Sequence, residues 1–165
     1  MRALLSQPWI SSVTSIYCST EQKAIDGAVI LADHLSLEYT RVEALGENDR
    51  TSTGFLPPDK FEATADAFFA NPDASVLGWE RAIDAQARIV RAVTDIAKAD
   101  KTAGSVAIVS HGAVGALLYC HLTGQAISRR WDQPGNGGGN YYTFTLPSGE
   151  VHSGWKAGDV PTPHA

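Results

Sequence analysis

The run Ser105-Val106-Ala107-Ile108-Val109-Ser110-His111-Gly112 constrains this chain more than any other segment. Four consecutive apolar residues, Val106 to Val109, suit a strand covered on both faces, as in a parallel sheet. The strand stops at a histidine and a glycine, and a helix-forming run from Ala113 to Leu122 follows. In open α/β sheets ligands gather at the carboxyl ends of strands, beside the N-termini of the following helices. A histidine placed there can meet an anion next to a positive helix end. Taken alone, the same His-Gly pair would serve equally well as a polar cap on a strand-to-helix turn.

The remaining segments alternate around this block. Arg2 to Trp9 reads as the end of a helix closed by Pro8, and Val13 to Cys18 as a strand. Ser19 and Gln22 stand at capping-box spacing before a helix from Glu21 to about Leu35, with Ile25, Ala28, Val29, Ala32 and Leu35 as its apolar stripe. Tyr39 to Ala44 is a short strand, and Leu45 to Gly54 a turn-rich loop. Helices are expected from Asp59 to about Ala70 and from about Gly78 to Ala99, the second with Ile83, Ala87, Val90, Val93 and Ala97 inward. The helix after His111 closes at Gly124, and residues 141–146 and 150–155 form a hairpin around Pro147-Ser148-Gly149. This order predicts a three-layer α/β/α sandwich with a mainly parallel sheet. Residues 1–156 form one domain and 157–165 a frayed tail. Three strands make a thin doubly covered sheet, so a further strand is expected at its centre.

Composition narrows the class. A chain of 165 residues supports one sizeable core. The formal net charge of −5, with no basic patch, argues against non-specific nucleic-acid binding. No apolar run nears the ~18 residues that span a membrane, and Met1 to Pro8 lacks the core of a signal peptide, so a cytoplasmic location is expected. Cys18 and Cys120 lie far apart in apolar segments and read as buried free thiols. His34, His121 and His152 share no metal-ligand spacing and read as structural or surface groups, and no metal or cofactor is expected. Gly135 to Gly139 does not join a strand to a helix, so it is a loop near the site rim rather than a dinucleotide site.

Two strand ends bring polar groups to one edge: Ser19, Thr20 and Lys23 after the first, His111 and Gly112 after the later one. Lys23 sits in a first helical turn, where a cation is unfavourable against the dipole unless an anion lies between. Glu47, in the turn-rich loop, is placed to act as a general acid. Each of these would also be unremarkable as a solvated surface group.

Together these segments resemble the histidine phosphatase (phosphoglycerate-mutase-like) superfamily. Ser19-Thr20-Glu21-Gln22-Lys23-Ala24 is similar to its Ser-Pro-x-x-Arg-Ala block, and Leu45-Gly46-Glu47 to its Leu-x-Glu acid loop. Trp79-Glu80-Arg81-Ala82, with Asp84 and Arg88, is similar to its Gly-Glu-Ser helix with a following Arg. Val109-Ser110-His111-Gly112 resembles its Val-x-His-Gly block, and Gly139-Asn140-Tyr141 its late Asn. The resemblance implies phosphomonoester hydrolysis or related phosphoryl transfer through a phosphohistidine. His111 would then stabilise the phosphoryl group and Glu47 would protonate the leaving oxygen. Lys23, Ser19, Thr20 and Gly112 would bind phosphate. It implies a small phosphorylated substrate, or phosphate, as ligand; a homodimer is possible.

The sequence departs from the family in two places. The family's first strand ends in Arg-His-Gly, whose histidine takes the phosphoryl group; residues 1–165 contain no such block, and Arg2-Ala3-Leu4-Leu5-Ser6 resembles the helix that follows it. The expectation is a truncated form, inactive as given, with strand and nucleophile upstream of Met1, or a catalytically dead relative that binds a phosphorylated ligand or a protein partner. The second departure is Lys23, a point charge where the family has the bidentate fork of arginine.

Overall fold

The structure, a computed structural model, describes residues 2–135 and 138–160. Its centre is a parallel three-stranded sheet in the order β2-β1-β3, built from β1 (Val13–Cys18), β2 (Tyr39–Arg41) and β3 (Ser105–Val109). Period-2 alternation divides the side chains between two cores. Ile16, Cys18, Ala107 and Val109 face helix α1 (Gln22–Leu35), while Tyr17, Val106 and Ile108 face α2 (Pro58–Ala70), α3 (Ala82–Ala99) and α4 (Gly112–Leu122). Helices therefore cover both faces of the sheet, as the alternating order of elements predicts. Near-complete burial of Val114, Ala116, Leu117 and Cys120 explains why α4 is apolar all round.

The three strands are contiguous, so the sheet has no gap at its centre. β1 is paired on both sides, and among the described residues β3 pairs with β1 alone. Val106, Ala107 and Ile108 are accordingly only partly buried in spite of their apolar character.

Several local expectations change. The N-terminal segment forms two 3₁₀ turns, Arg2–Ser6 and Pro8–Ser12, and Pro8 opens the second instead of closing a helix. The Ser19–Gln22 capping box does not form: α1 starts at Gln22 with no side-chain cap, because the Ser19 hydroxyl is engaged with His111. The buried stripe of α1 is Ala24, Gly27, Ala28, Leu31 and Ala32, and Val29 is exposed. α3 starts at Ala82, four residues later than the pattern suggests, because Leu77 and Gly78 adopt positive φ. Ile89, Val93 and Ile96 turn inward there, and Ile83 is exposed. The second strand stops at Arg41, and Glu43–Leu45 forms a 3₁₀ turn.

The hairpin around Pro147 is present as β5 (Phe144–Thr145) against β6 (Glu150–Val151). A further pair, β4 (Asn140–Tyr141) with β7 (Lys156–Ala157), lies beside it. Of the expected tail, the first residues are docked: buried Gln7 donates through Nε2 to the carbonyls of Gly158 (3.0 Å) and Val160 (2.8 Å). Residues 161–165 lie outside the described residues, as do Asn136 and Gly137 of the glycine-rich loop. Cys18 and Cys120 are buried free thiols. Among the described residues no helix is long and apolar enough to cross a membrane.

Candidate active site

Strand register places the site. Cys18 is level with both Arg41 and Val109, so β1, β2 and β3 end together, and the residues just beyond them share one edge. The backbone continues this alignment, with Ser19 N–H donating to the Val109 carbonyl (3.1 Å) and Val42 N–H to that of Cys18 (2.8 Å).

Ser19 and His111 meet at that edge. Ser19 Oγ lies 2.6 Å from His111 Nε2 and also accepts the Glu21 N–H (3.2 Å). Ser19 is fully buried and the His111 side chain is 10% exposed. Glu21 adds a third group, its Oε1 standing 3.3 Å from the same imidazole nitrogen.

Glu47 reaches the same place from the loop after β2. Its carboxylate accepts the N–H groups of Ala113 (3.2 Å) and Val114 (3.1 Å) in the first turn of α4, and the N–H of Asn48 (3.2 Å). Glu47 thus caps the positive end of the helix that follows His111, a second task beyond the acid role expected of it. The Gly112 N–H in that turn has no protein acceptor among the described residues. A Cβ at Gly112 would collide with the Gln133 side-chain amide, so this position must be glycine for Gln133 to lie against the helix start.

Two arginines fix the Glu47 loop. Arg50 Nη2 pairs with Glu47 Oε2 at 3.3 Å, and its guanidinium carbon lies 5.0 Å from the ring centroids of both Phe61 and Trp79. Arg88, on α3, donates to the carbonyls of Ala44 (2.9 Å), Gly46 (3.0 Å) and Glu47 (3.2 Å) and to both oxygens of Glu80 (3.0 and 2.8 Å). Hydrogen bonding to Glu80 raises the already high pKa of Arg88 further. Ser110 Oγ ties the end of β3 to the same loop by donating to the Leu45 carbonyl (2.7 Å).

A sequence profile of the histidine phosphatase superfamily (branch 1) matches residues 4–150. The chain belongs to the histidine phosphatase superfamily. Solved structures of similar fold include a mycobacterial glucosyl-3-phosphoglycerate phosphatase in complex with inorganic phosphate (18% identity, TM-score 0.73, covering 96% of this chain and 84% of that one). Bacillus stearothermophilus YhfR is similar as well (22% identity, TM-score 0.72, 96% and 82%). So is a phosphoglycerate mutase from Bacillus anthracis (17% identity, TM-score 0.53, 74% and 65%). No curated protein matches the chain in sequence.

Of the residues that histidine-phosphatase resemblance singles out, the structure brings Ser19, Glu47, His111 and Gly112 together. The Thr20 and Lys23 side chains are exposed and make no hydrogen bond or ion pair among the described residues. His34, His121 and His152 are exposed and away from any cluster of metal-ligating type, none of which occurs among the described residues. Trp79 is a core residue, its Nε1 donating to Thr53 Oγ1. Sequence reasoning assigned no role to Glu21, Arg50, Arg88 or Gln133. The signal for Arg50 was its position three residues after Glu47; for Arg88 it was a lone cation on the apolar side of a helix, two turns after Glu80.

Proposed function

We propose that the complete protein is a phosphomonoester hydrolase, or a related phosphoryl-transfer enzyme, that works in the cytoplasm through a phosphohistidine. The observation that carries this reading is the meeting of Ser19, His111 and the Glu47 carboxylate at the carboxyl edge of a parallel sheet, against the N-terminus of α4. Phosphoryl transfer is catalysed mainly by positioning and by charge stabilisation around the equatorial oxygens. In this reading His111 contacts the phosphoryl group, the Gly112 N–H and the Ser19 and Thr20 hydroxyls supply donors, and Lys23 swings in from solvent as the cation. Glu47 protonates the leaving oxygen and afterwards activates water. That the mycobacterial neighbour was solved with inorganic phosphate, and separately with VO3, supports a small phosphorylated ligand.

In this reading the nucleophile comes from outside residues 1–165. The open edge of β3 supports its arrival on one further strand, since a strand paired there would finish beside His111 and would cover Val106, Ala107 and Ile108. The chain as given is then inactive. The second reading, a catalytically dead relative that binds a phosphorylated ligand or a protein partner, draws on the Glu21 carboxylate 3.3 Å from His111 Nε2, which takes up one side of the imidazole.

The intact mass of the protein from its native source, with its N-terminal peptide sequenced, separates the two readings. A mass above 17.6 kDa, with an extra segment holding a strand that ends in histidine, supports the enzyme. In that case His111→Ala should lower kcat toward phosphomonoesters by orders of magnitude with the fold intact. A native protein that starts at Met1 would overturn the enzyme reading and leave the binding one.

A further inference from the structure

The Glu21 carboxylate is the least expected group at the site. Its Oε1 accepts the Glu47 N–H at 2.7 Å and stands 3.3 Å from His111 Nε2. One anionic oxygen therefore lies between a backbone donor of the acid loop and the imidazole that faces the site. Arg88 holds the loop carbonyls on either side, at Gly46 and Glu47, and so fixes the direction of that N–H. Gly46 permits the approach, since a Cβ there would come 3.3 Å from Glu21 Oε1.

From this geometry we propose that Glu21 Oε1 occupies an oxyanion position of the ligand, so that the Glu47 backbone N–H is a ligand-binding donor and Glu21 an internal competitor for it. The inference rests on the phosphate-site reading above and adds to it a donor and a displaceable carboxylate. Two anions cannot share this one backbone donor at close range without strong repulsion. A phosphate oxygen that enters between His111 and the Glu47 N–H must therefore displace Glu21. The displaced side chain has somewhere to go, being 49% exposed and, among the described residues, in no other side-chain hydrogen bond or salt bridge; the attraction of Arg88 acts on it only through space. Glu21 immediately follows Ser19 and Thr20 at the end of β1, so a small rotation about its own side-chain bonds clears the position without moving the strand.

The test is calorimetric titration of the whole chain with inorganic phosphate, and with orthovanadate as a second probe. It compares wild type, Glu21→Gln, Glu21→Ala and His111→Ala. The expected result is phosphate binding about tenfold tighter in both Glu21 variants, equivalent to about 1.4 kcal/mol. His111→Ala should lose it, and acetate should compete in Glu21→Ala, because a free carboxylate can refill the vacated position. Equal or weaker binding in both Glu21 variants, with binding still lost in His111→Ala, overturns the role of Glu21 and leaves the phosphate site standing. Absence of binding in wild type and in both Glu21 variants overturns the phosphate site and this inference together.

Discussion

Arg88 holds Glu47 in place without touching its carboxylate. Its Nη2 donates to the Glu47 carbonyl at 3.2 Å while Nη1 takes the carbonyls of Ala44 and Gly46, and Glu80 neutralises the guanidinium from the other side. The loop is thus gripped through its backbone, which leaves the Glu47 side chain free to meet α4. Arg88→Ala should cost about 2–3 kcal/mol in urea unfolding, since it strands a carboxylate and three carbonyls at once. Arg88→Lys should recover only part of this, because one ammonium cannot span the fork. A loss below about 0.5 kcal/mol for the alanine variant, the range of an ordinary surface change, would show that the grip is not energetically real.

Gly104 stands where the turn before β3 crosses the start of β1. A Cβ there would come within 2.5 Å of the Ser12 carbonyl oxygen and press against the Thr14 side chain. Backbone cannot yield as a flexible side chain does, so Gly104→Ala should destabilise by about 1–3 kcal/mol, as overpacking does elsewhere. An unchanged midpoint would mean that the two strands separate easily at this end.

Asp100 gives a pH signature far from the site. Hydrogen bonds from Ser15, Thr102 and Tyr17 hold its carboxyl at about 2, below the usual ~3.9 of an unfolded chain. A depressed folded value stabilises above the unfolded pKa, and the contribution fades as pH falls toward 2. Solvent screening at this partly exposed position limits it to less than about 1 kcal/mol. Asp100→Asn should therefore lower stability at pH 7 and converge with wild type near pH 2. A constant gap across the range would assign the effect to packing.

Burial pushes both thiols up, Cys18 and Cys120 alike. With no exposed thiolate, neither should react with a thiol-titrating disulfide reagent in the folded protein, and both should react in denaturant. Stoichiometric labelling of the folded chain within minutes would contradict their burial.

The sequence carried the layers and half of the site. The apolar run before His111 and the stop at Gly124 define β3 and α4, and two strand ends at one sheet edge bring Ser19 to His111. Helix faces were read less well: Val29 and Ile83 are apolar yet exposed, because small residues, Ala24, Gly27 and Ala28 on α1 and Ala82, Ala85 and Ala92 on α3, take up much of the buried faces. Ser19 fits a capping box by spacing, but a buried histidine competes for the same hydroxyl and wins. Arg50 carried a local signal in its spacing from Glu47, whereas the roles of Arg88 and Glu21, both inside recognised motifs, were not legible because they lie in partners on other segments. Arg88 binds carbonyls 41–44 residues away, and no local pattern announces such a contact.

Nitrogen-detected NMR of the histidine side chains, with inorganic phosphate titrated into the folded chain, reads the site at the imidazole itself. A phosphoryl site at His111 should give a saturable shift of its ring resonances while those of His34, His121 and His152 stay in place. Resonances of His111 that do not move across the titration, in a chain that remains folded, would contradict a phosphoryl site at this edge of the sheet.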